Sequence, residues 1–439
     1  MKQLFTLFLV WSFFFTTISS AQTDVLTDVT IRDTVHMGAG RINDVYFDLQ
    51  SRVDVEVDRS TWDLAFTAET YSGTIWLNDG LSLGMANVLL YQYPDGDINS
   101  WNNVDISNID SWTPLYNSIH SWDEGAFNRT ADYEDPFDVG WGNYNMANHN
   151  ITGDSIYVIA FPDGTYKKLA IVEKTFNSST MQYTWNFKYA NIDGTEEVVE
   201  QILPSDYPDQ RLITYSIQNQ QIMNNEPLPS TWDLKFTKYA DLYSMGGATV
   251  VMPLTGILHN RHIKTARYDE TDTATTTYND VDFDNSISKI GWCWWEMGEN
   301  YVYYIVENQV FFINDTLEHK IYKFVFDDYY GSLGDVMFRT VMLRDYTNVE
   351  LPAEKNNQLV VYPNPASEKV SIIFDFENVG QNLKLNIFNI TGKIVHTQNI
   401  TNNGFGVMEL SVETLPQGTY IVQLQGNNYI ATQKLIITK

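Results

Sequence analysis

Residues 60–67 read STWDLAFT and residues 230–237 read STWDLKFT, one phrase written twice with a single change. The flanks agree as well. A tyrosine stands 16 residues before the tryptophan in the first copy and 17 in the second, Tyr46 to Trp62 and Tyr215 to Trp232. Downstream come Val139-Gly140-Trp141 and Ile290-Gly291-Trp292. Each is followed by a strand, a turn and an aromatic-lysine strand: 156–159 with Tyr166-Lys167, and 310–313 with Tyr322-Lys323. Aromatic strands at 183–189 and 336–342 close the two series. Landmarks repeated in one order mark an internal duplication, with the copies at 22–200 and 201–348.

In an extended chain Trp62, Leu64 and Phe66 fall on one face, opposite Asp63 and Ala65, and Trp232, Leu234 and Phe236 repeat the pattern. The changed residue, Ala65 against Lys235, lies on the second face, so the phrase predicts a core strand with its other side in water. Asp63 and Asp233 are expected to accept backbone or hydroxyl hydrogen bonds at the strand start. Short runs rich in Val, Ile, Tyr, Phe and Trp, bounded by Asn, Asp, Gly and Pro, recur along the chain, and helical periodicity is nearly absent. With 14% aromatic residues the chain reads as all-β.

Residues 1–21 hold one cation, an apolar run from Leu4 to Phe15 and the small residues Ser19-Ser20-Ala21, the pattern of a signal peptide. No later window offers the roughly 18–20 apolar residues of a membrane-spanning helix. Cys293 is the only cysteine, so no intramolecular disulfide forms and stability is expected from buried core, with Cys293 a small apolar part of it. The formal charge is −28, and it is unevenly spread. Residues 358–439 carry five basic and five acidic side chains, whereas 22–357 carry 21 basic and 50 acidic ones, net −29. That step marks a boundary, with a linker at 349–358. An acidic body repels nucleic acid and anionic membrane surfaces, which excludes both as expected partners.

From residue 359 the style changes to hairpin-sized strands separated by Asn-Pro, Thr-Gly-Lys and Pro-Gln-Gly turns, which predicts a seven-strand Ig-like sandwich over 359–439. Tyr362-Pro363-Asn364-Pro365, Asn389-Ile390-Thr391-Gly392-Lys393, Leu415-Pro416-Gln417-Gly418-Thr419-Tyr420 and the closing Lys434-Leu435-Ile436-Ile437-Thr438-Lys439 resemble the type A C-terminal sorting domain of the type IX secretion system. The resemblance implies handling by that machinery, export across the outer membrane, and release or attachment at the cell surface.

The duplicated module resembles the HmuY family of haem-binding proteins. The resemblance rests on the Tyr46-Phe47-Asp48-Leu49 strand, the phrase itself, the Gly-Trp segments and, in the second copy, 251–260, 289–292 and 320–324. It implies two tandem all-β modules without catalysis, gripping haem between hairpin tips through axial His or Met side chains. Between phrase and Gly-Trp the second copy offers Met245, His259 and His262, with Met252 read as core; the first offers Met85 and His120. Ser244-Met245-Gly246-Gly247 reads as a hairpin tip. The alternative is a surface interaction or adhesion protein that binds protein or glycan through exposed Trp101, Trp112 and Trp122. Asp95-Gly96-Asp97-Ile98-Asn99 has calcium-loop spacing but lacks the glutamate at loop position twelve. No Walker loop or HExxH occurs, so no enzyme is expected.

Overall fold

Each phrase enters its strand through a short 3-10 turn: Arg59–Thr61 leads into Leu64–Thr67, and Pro229–Thr231 into the much longer Leu234–Met245. Asp58 caps the first turn by accepting from the Ser60 amide at 2.9 Å. Pro229 opens the second, where its missing N–H leaves no bond unmade. The computed structural model describes residues 29–346 apart from 71, 84, 85, 246 and 299–301, and residues 358–438 apart from 376–382, 391, 401–405 and 426–429. Residues 1–21, read as a signal peptide, and Met85 therefore lie outside the described residues.

The strand preceding each phrase pairs with the other phrase. Tyr215 and Ile213 of Leu212–Ser216 face Leu64 and Phe66, while Phe47 and Val45 of Asn43–Phe47 face Leu234 and Phe236. Thr30–His36 also crosses, running antiparallel along Asp335–Asp345. Matching hydrogen bonds lock both exchanges. The Asp63 amide donates to the Tyr215 carbonyl and the Asp233 amide to that of Phe47, both at 2.9 Å. Asp63 Oδ2 accepts from the Ile217 amide and Asp233 Oδ2 from the Leu49 amide, both at 2.7 Å. Asn78 donates its side-chain amide to the Arg59 and Trp62 carbonyls, and Asn260 does the same to those of Pro229 and Trp232. The aspartates thus cap strands as expected, each across to the other copy.

Two cores follow from the exchange. One gathers Leu64, Phe66, Trp185 and Phe187 with Ile213, Tyr215 and Ile217; the other gathers Leu234, Phe236, Trp294 and Phe338 with Val45, Phe47 and Leu49. Segments 22–200 and 201–348 each supply both cores, and the chain through Tyr346 forms one compact unit.

The face expected to meet water is dry. Ala65 is fully buried, Asp63 and Asp233 nearly so, and Lys235 is only 8% exposed, because the two exchanged sheets stack on each other through this side. A bend at Asp63 and Asp233 breaks the strand alternation. Trp62 and Trp232 consequently leave the Leu–Phe face and enter this junction beside Tyr46, Ala65, Trp76, Trp122, Tyr239 and Leu258. The Tyr46 ring meets Trp232 edge-on at 5.0 Å, and the Arg211 guanidinium lies 3.9 Å from the Trp122 ring centre while pairing with Glu226 at 2.6 Å.

Lys235 survives burial because its ammonium is 3.0 Å from Asp44, which also takes Arg59 at 3.0 Å and the Thr237 hydroxyl at 2.6 Å. Against the pull of burial, the Lys235 and Arg59 cations hold the Asp44 carboxyl below the usual carboxylate range. Elsewhere in the junction burial wins. It pushes the Asp79 carboxyl up to about 7 and, helped by Arg59 and Arg41, the Lys238 ammonium down to about 7. The cavity among these groups measures about 40 Å³, room for a few waters at most and too small for a porphyrin or a sugar.

The copies differ most after the phrase. In the second copy Leu234–Met245 and Ala248–His259 pair over their whole length from Leu234↔His259 to Met245↔Ala248, a hairpin of twelve-residue strands. In the first, Leu64–Thr67 pairs with the short Ile75–Leu77, and the intervening loop wraps around Lys174. The Lys174 ammonium donates to the carbonyls of Glu69, Thr70 and Ser72 at 2.9, 3.1 and 2.6 Å and lies 4.8 Å from the Trp185 ring centre. Burial pushes it down to about 7. A depressed lysine pKa means that the unfolded chain binds the proton more tightly between pH 7 and the ordinary lysine value. Stability from this site is then complete only above that value and falls away as pH drops to 7, by up to about 1.4 kcal/mol per pH unit. Lys174→Met is expected to remove this component, seen as a flatter dependence of the urea midpoint on pH between 7 and 10; an unchanged slope would refute it.

The sorting segment forms its own unit, 347–439. Gln358–Tyr362, Lys369–Asp375 and Gly406–Ser411 make one sheet, and Ile394–Ile400, Leu383–Asn389, Gly418–Gln425 and Ile430–Ile437 the other. Seven strands enclose Val370, Ile372, Leu385, Ile387, Val422 and Leu435, as the turn spacing predicts. Asn364 explains why the first and last motifs travel together: it donates to the Lys434 carbonyl at 2.6 Å and accepts from the Ile436 amide at 2.9 Å.

Candidate binding cleft

The predicted ligand residues fall in different places. Met245 closes its strand at the tip of the long hairpin, as the sequence suggests. Met245 is eleven steps along the strand from Leu234, so the tip stands about 35 Å from the root. His259 lies at that root, 1% exposed. Its Nδ1 is 2.9 Å from the Asn260 carbonyl, and burial pushes its pKa down, favouring the neutral ring. His120 is exposed, 3.0 Å from the Ser286 hydroxyl, and its carbonyl accepts from the Ile287 amide, while the Ile287 carbonyl accepts from the His259 amide. His262 is half-buried with Nε2 2.8 Å from Asp233 Oδ1. Thus the structure gathers His120 and His259 at the junction, and Met245 is remote from both.

The tryptophans expected in exposed loops are mostly covered. Trp101 and Trp122 are buried and Trp112 half-buried, because the loop folds back on the body. Trp101 donates to Glu197 at 2.6 Å, and Trp122 donates to the His259 carbonyl at 2.9 Å inside the junction. Asp97 spends its carboxylate on capping the 3-10 turn Ile98–Asn103. Cys293 is a free, half-buried thiol.

A cleft of about 650 Å³ opens in the second copy between the hairpin strand Tyr303–Ile305 and the edge of Lys320–Tyr330. Two tyrosines shape its wall, each seated on a glycine. A Cβ on Gly298 would come within 2.5 Å of the Tyr304 ring, and one on Gly331 within 2.4 Å of the Tyr303 ring. Tyr304 remains 57% exposed, so its ring is held in position yet open to solvent. Glu307, Gln309, Asp327, Asp328 and Arg339 supply the polar lining. Arg339 pairs with Asp327, and Gln309 donates to Asp269 at 2.8 Å. The Gln309 side-chain oxygen, Oε1, is buried without a hydrogen-bond partner. Such an acceptor costs about 1–3 kcal/mol unless something donates to it. Sequence reading missed this wall: Tyr303-Tyr304 looks like an ordinary strand, and the two glycines beneath it are 33 positions apart.

Residues 360–438 match the family model described as the secretion system C-terminal sorting domain. The tail is a sorting domain. The chain is accordingly handled by the type IX secretion system and is released or attached at the cell surface. Among the described residues no helix is long and apolar enough to cross a membrane. No curated protein matches. Among solved structures a match is dimeric latent PorU from Porphyromonas gingivalis at 12% identity, covering 83% of this chain and 31% of that one, with a TM-score of 0.18. The chain thus spans less than a third of that protein's length, and a likeness this weak carries no argument.

Proposed function

We propose that this is an exported, non-catalytic binding protein whose body is an interlocked pair of HmuY-like modules and whose ligand is a hydroxyl-rich molecule of the glycan class, held in the Tyr303–Tyr304 cleft. The observation that carries this reading is the exposed, glycine-seated Tyr304 ring on a cleft whose polar lining includes Glu307, Asp328 and the Arg339–Asp327 pair. Sugar rings stack their C–H faces on aromatic planes and offer hydroxyl donors around the rim. Carboxylates and an Arg–Asp pair alongside suit such a rim, and the volume lies in the range of small-ligand sites. On a glycan array the protein is expected to bind a defined subset. Tyr304→Ala is expected to weaken that binding at least tenfold, equivalent to about 1.4 kcal/mol. Equal binding by wild type and variant would overturn the proposal.

Haem remains the second reading, favoured by Met245 at an outward hairpin tip flanked by exposed Leu242 and Val250. It makes a different demand on the same preparation: a Soret shift with haemin that Met245→Ala abolishes and Tyr304→Ala leaves intact.

A further inference from the structure

Asp233 does more than its counterpart Asp63. Both give Oδ2 to an amide of the exchanged strand. Asp233 alone faces an imidazole, His262, whose Nε2 lies 2.8 Å from its Oδ1; the corresponding position after Asn78 is Gly80. Asp315, the last residue of Val310–Asp315, completes the group. One ligand atom each from Asp233, His262 and Asp315 lie within 4.8 Å of one another.

Asp315 is the anomaly. It is fully buried, and its Oδ1 accepts from the Leu317 and Glu318 amides, both at 2.9 Å. Its Oδ2 is buried with no partner at all. Two carboxylates at close range out of water repel each other, and a buried acceptor left empty adds a desolvation cost. The environment already resists ionisation, since burial first and the Asp233 charge second push the Asp315 carboxyl up to about 6.

We infer that Asp233, His262 and Asp315 form a divalent metal site that staples the strand exchange. A dication neutralises both carboxylates and gives Asp315 Oδ2 the partner it lacks. The imidazole nitrogen selects a borderline ion, Zn²⁺, over Mn²⁺, Ca²⁺ and Mg²⁺, which prefer oxygen donors. Bonds of about 2.0–2.1 Å place tetrahedral donors roughly 3.3 Å apart, so the His262–Asp233 pair at 2.8 Å must open slightly while Asp315, within 4.8 Å of both, closes onto the ion. His262 keeps 17% of its side chain exposed, which leaves an entry path and a position for water. Its carbonyl is fixed by the Thr316 amide at 3.0 Å and hydroxyl at 2.6 Å. Asp233 meanwhile holds the Leu49 amide, so the ion joins the two ends of the second copy's sheet system to a strand contributed by the first. This site is separate from the glycan cleft, and neither depends on the other.

The test uses the whole purified chain, stripped with chelator and then given Zn²⁺, Mn²⁺, Ca²⁺ or Mg²⁺. Zn²⁺ at 100-fold over its Kd is expected to raise Tm by about 3–6 °C, with Mn²⁺, Ca²⁺ and Mg²⁺ without comparable effect at the same concentration. Co²⁺ serves as a second readout independent of stability, giving visible bands that shift when the imidazole is lost. His262→Gln and Asp315→Asn are expected to abolish both signals while remaining folded, because each keeps the volume and Asp315→Asn removes a buried like charge. Stripped wild type that takes up neither Zn²⁺ nor Co²⁺ would overturn the proposal, leaving a proton-sharing cluster. Shifts retained in both variants would overturn it equally, since the ion would then sit elsewhere.

Discussion

Expressed as separate polypeptides, residues 22–200 and residues 201–348 each fail to fold, and co-expression recovers one complex that unfolds cooperatively. The first fragment lacks Ile202, Ile213, Tyr215 and Ile217, which fill its core. It also leaves Val35, Val45, Phe47 and Leu49 without the partners they have in the second core. Four buried side chains at about 1.5–3 kcal/mol each come to about 6–12 kcal/mol, comparable to the whole stability of a domain, about 5–15 kcal/mol. The second fragment loses the edge strand Thr30–His36 together with Asn43–Phe47, so it exposes open ladders as well as core. Circular dichroism and size-exclusion chromatography of single and mixed fragments decide the matter. A cooperative transition in either fragment alone would mean that the exchange is dispensable. Ligand assays therefore belong on the whole unit and not on one copy.

The second large effect is at Asp44. Asp44→Asn keeps the shape but leaves Arg59 and Lys235 buried at 3.0 Å from a neutral amide. Removing one partner of a buried ion network costs about 3–5 kcal/mol, mostly for the uncompensated charges left behind. Because the Asp44 carboxyl is held below the usual range, its stabilisation is present above the ordinary aspartate pKa. It is lost only as pH falls through the lowered native value, so wild type resists acid further than a neutral variant does. Adding Lys235→Met to Asp44→Asn is expected to restore a sizeable part of the loss, since the equivalent residue, Ala65, is apolar and fully buried. Urea titrations of the single and double variants measure both effects. A loss below about 1 kcal/mol for Asp44→Asn would show that water already reaches the network.

Much of the architecture is written locally. The alternation of Leu64 and Phe66, and of Leu234 and Phe236, announces two strands, and both pairs are core. The two phrases sit in matching hydrogen-bond settings, and Asn-Pro and Pro-Gln-Gly turns at regular spacing report seven strands in the tail. Met245 is legible as a hairpin tip because Gly246-Gly247 follows it and polar residues surround it.

Lys235 marks where local reading stops. A lysine replacing an alanine on alternate positions argues for water, yet the side chain is buried because Asp44, 191 positions earlier, faces it across the exchanged sheets. Trp101 and Trp122 fail for the same reason, since their loop folds against surfaces that no neighbouring residue announces. His262 meets Asp315 only because the strands Ile263–Tyr268 and Val310–Asp315 are neighbours in one sheet. The one-dimensional pattern of side chains therefore determined which segments are strands and that the tail is an export address, since each depends on contacts between near neighbours in the chain or on a short motif. Which strands pair, which faces stay dry and which polar groups meet in a site were decided by tertiary structure, because those energies come from groups brought together over 150 to 300 residues of chain.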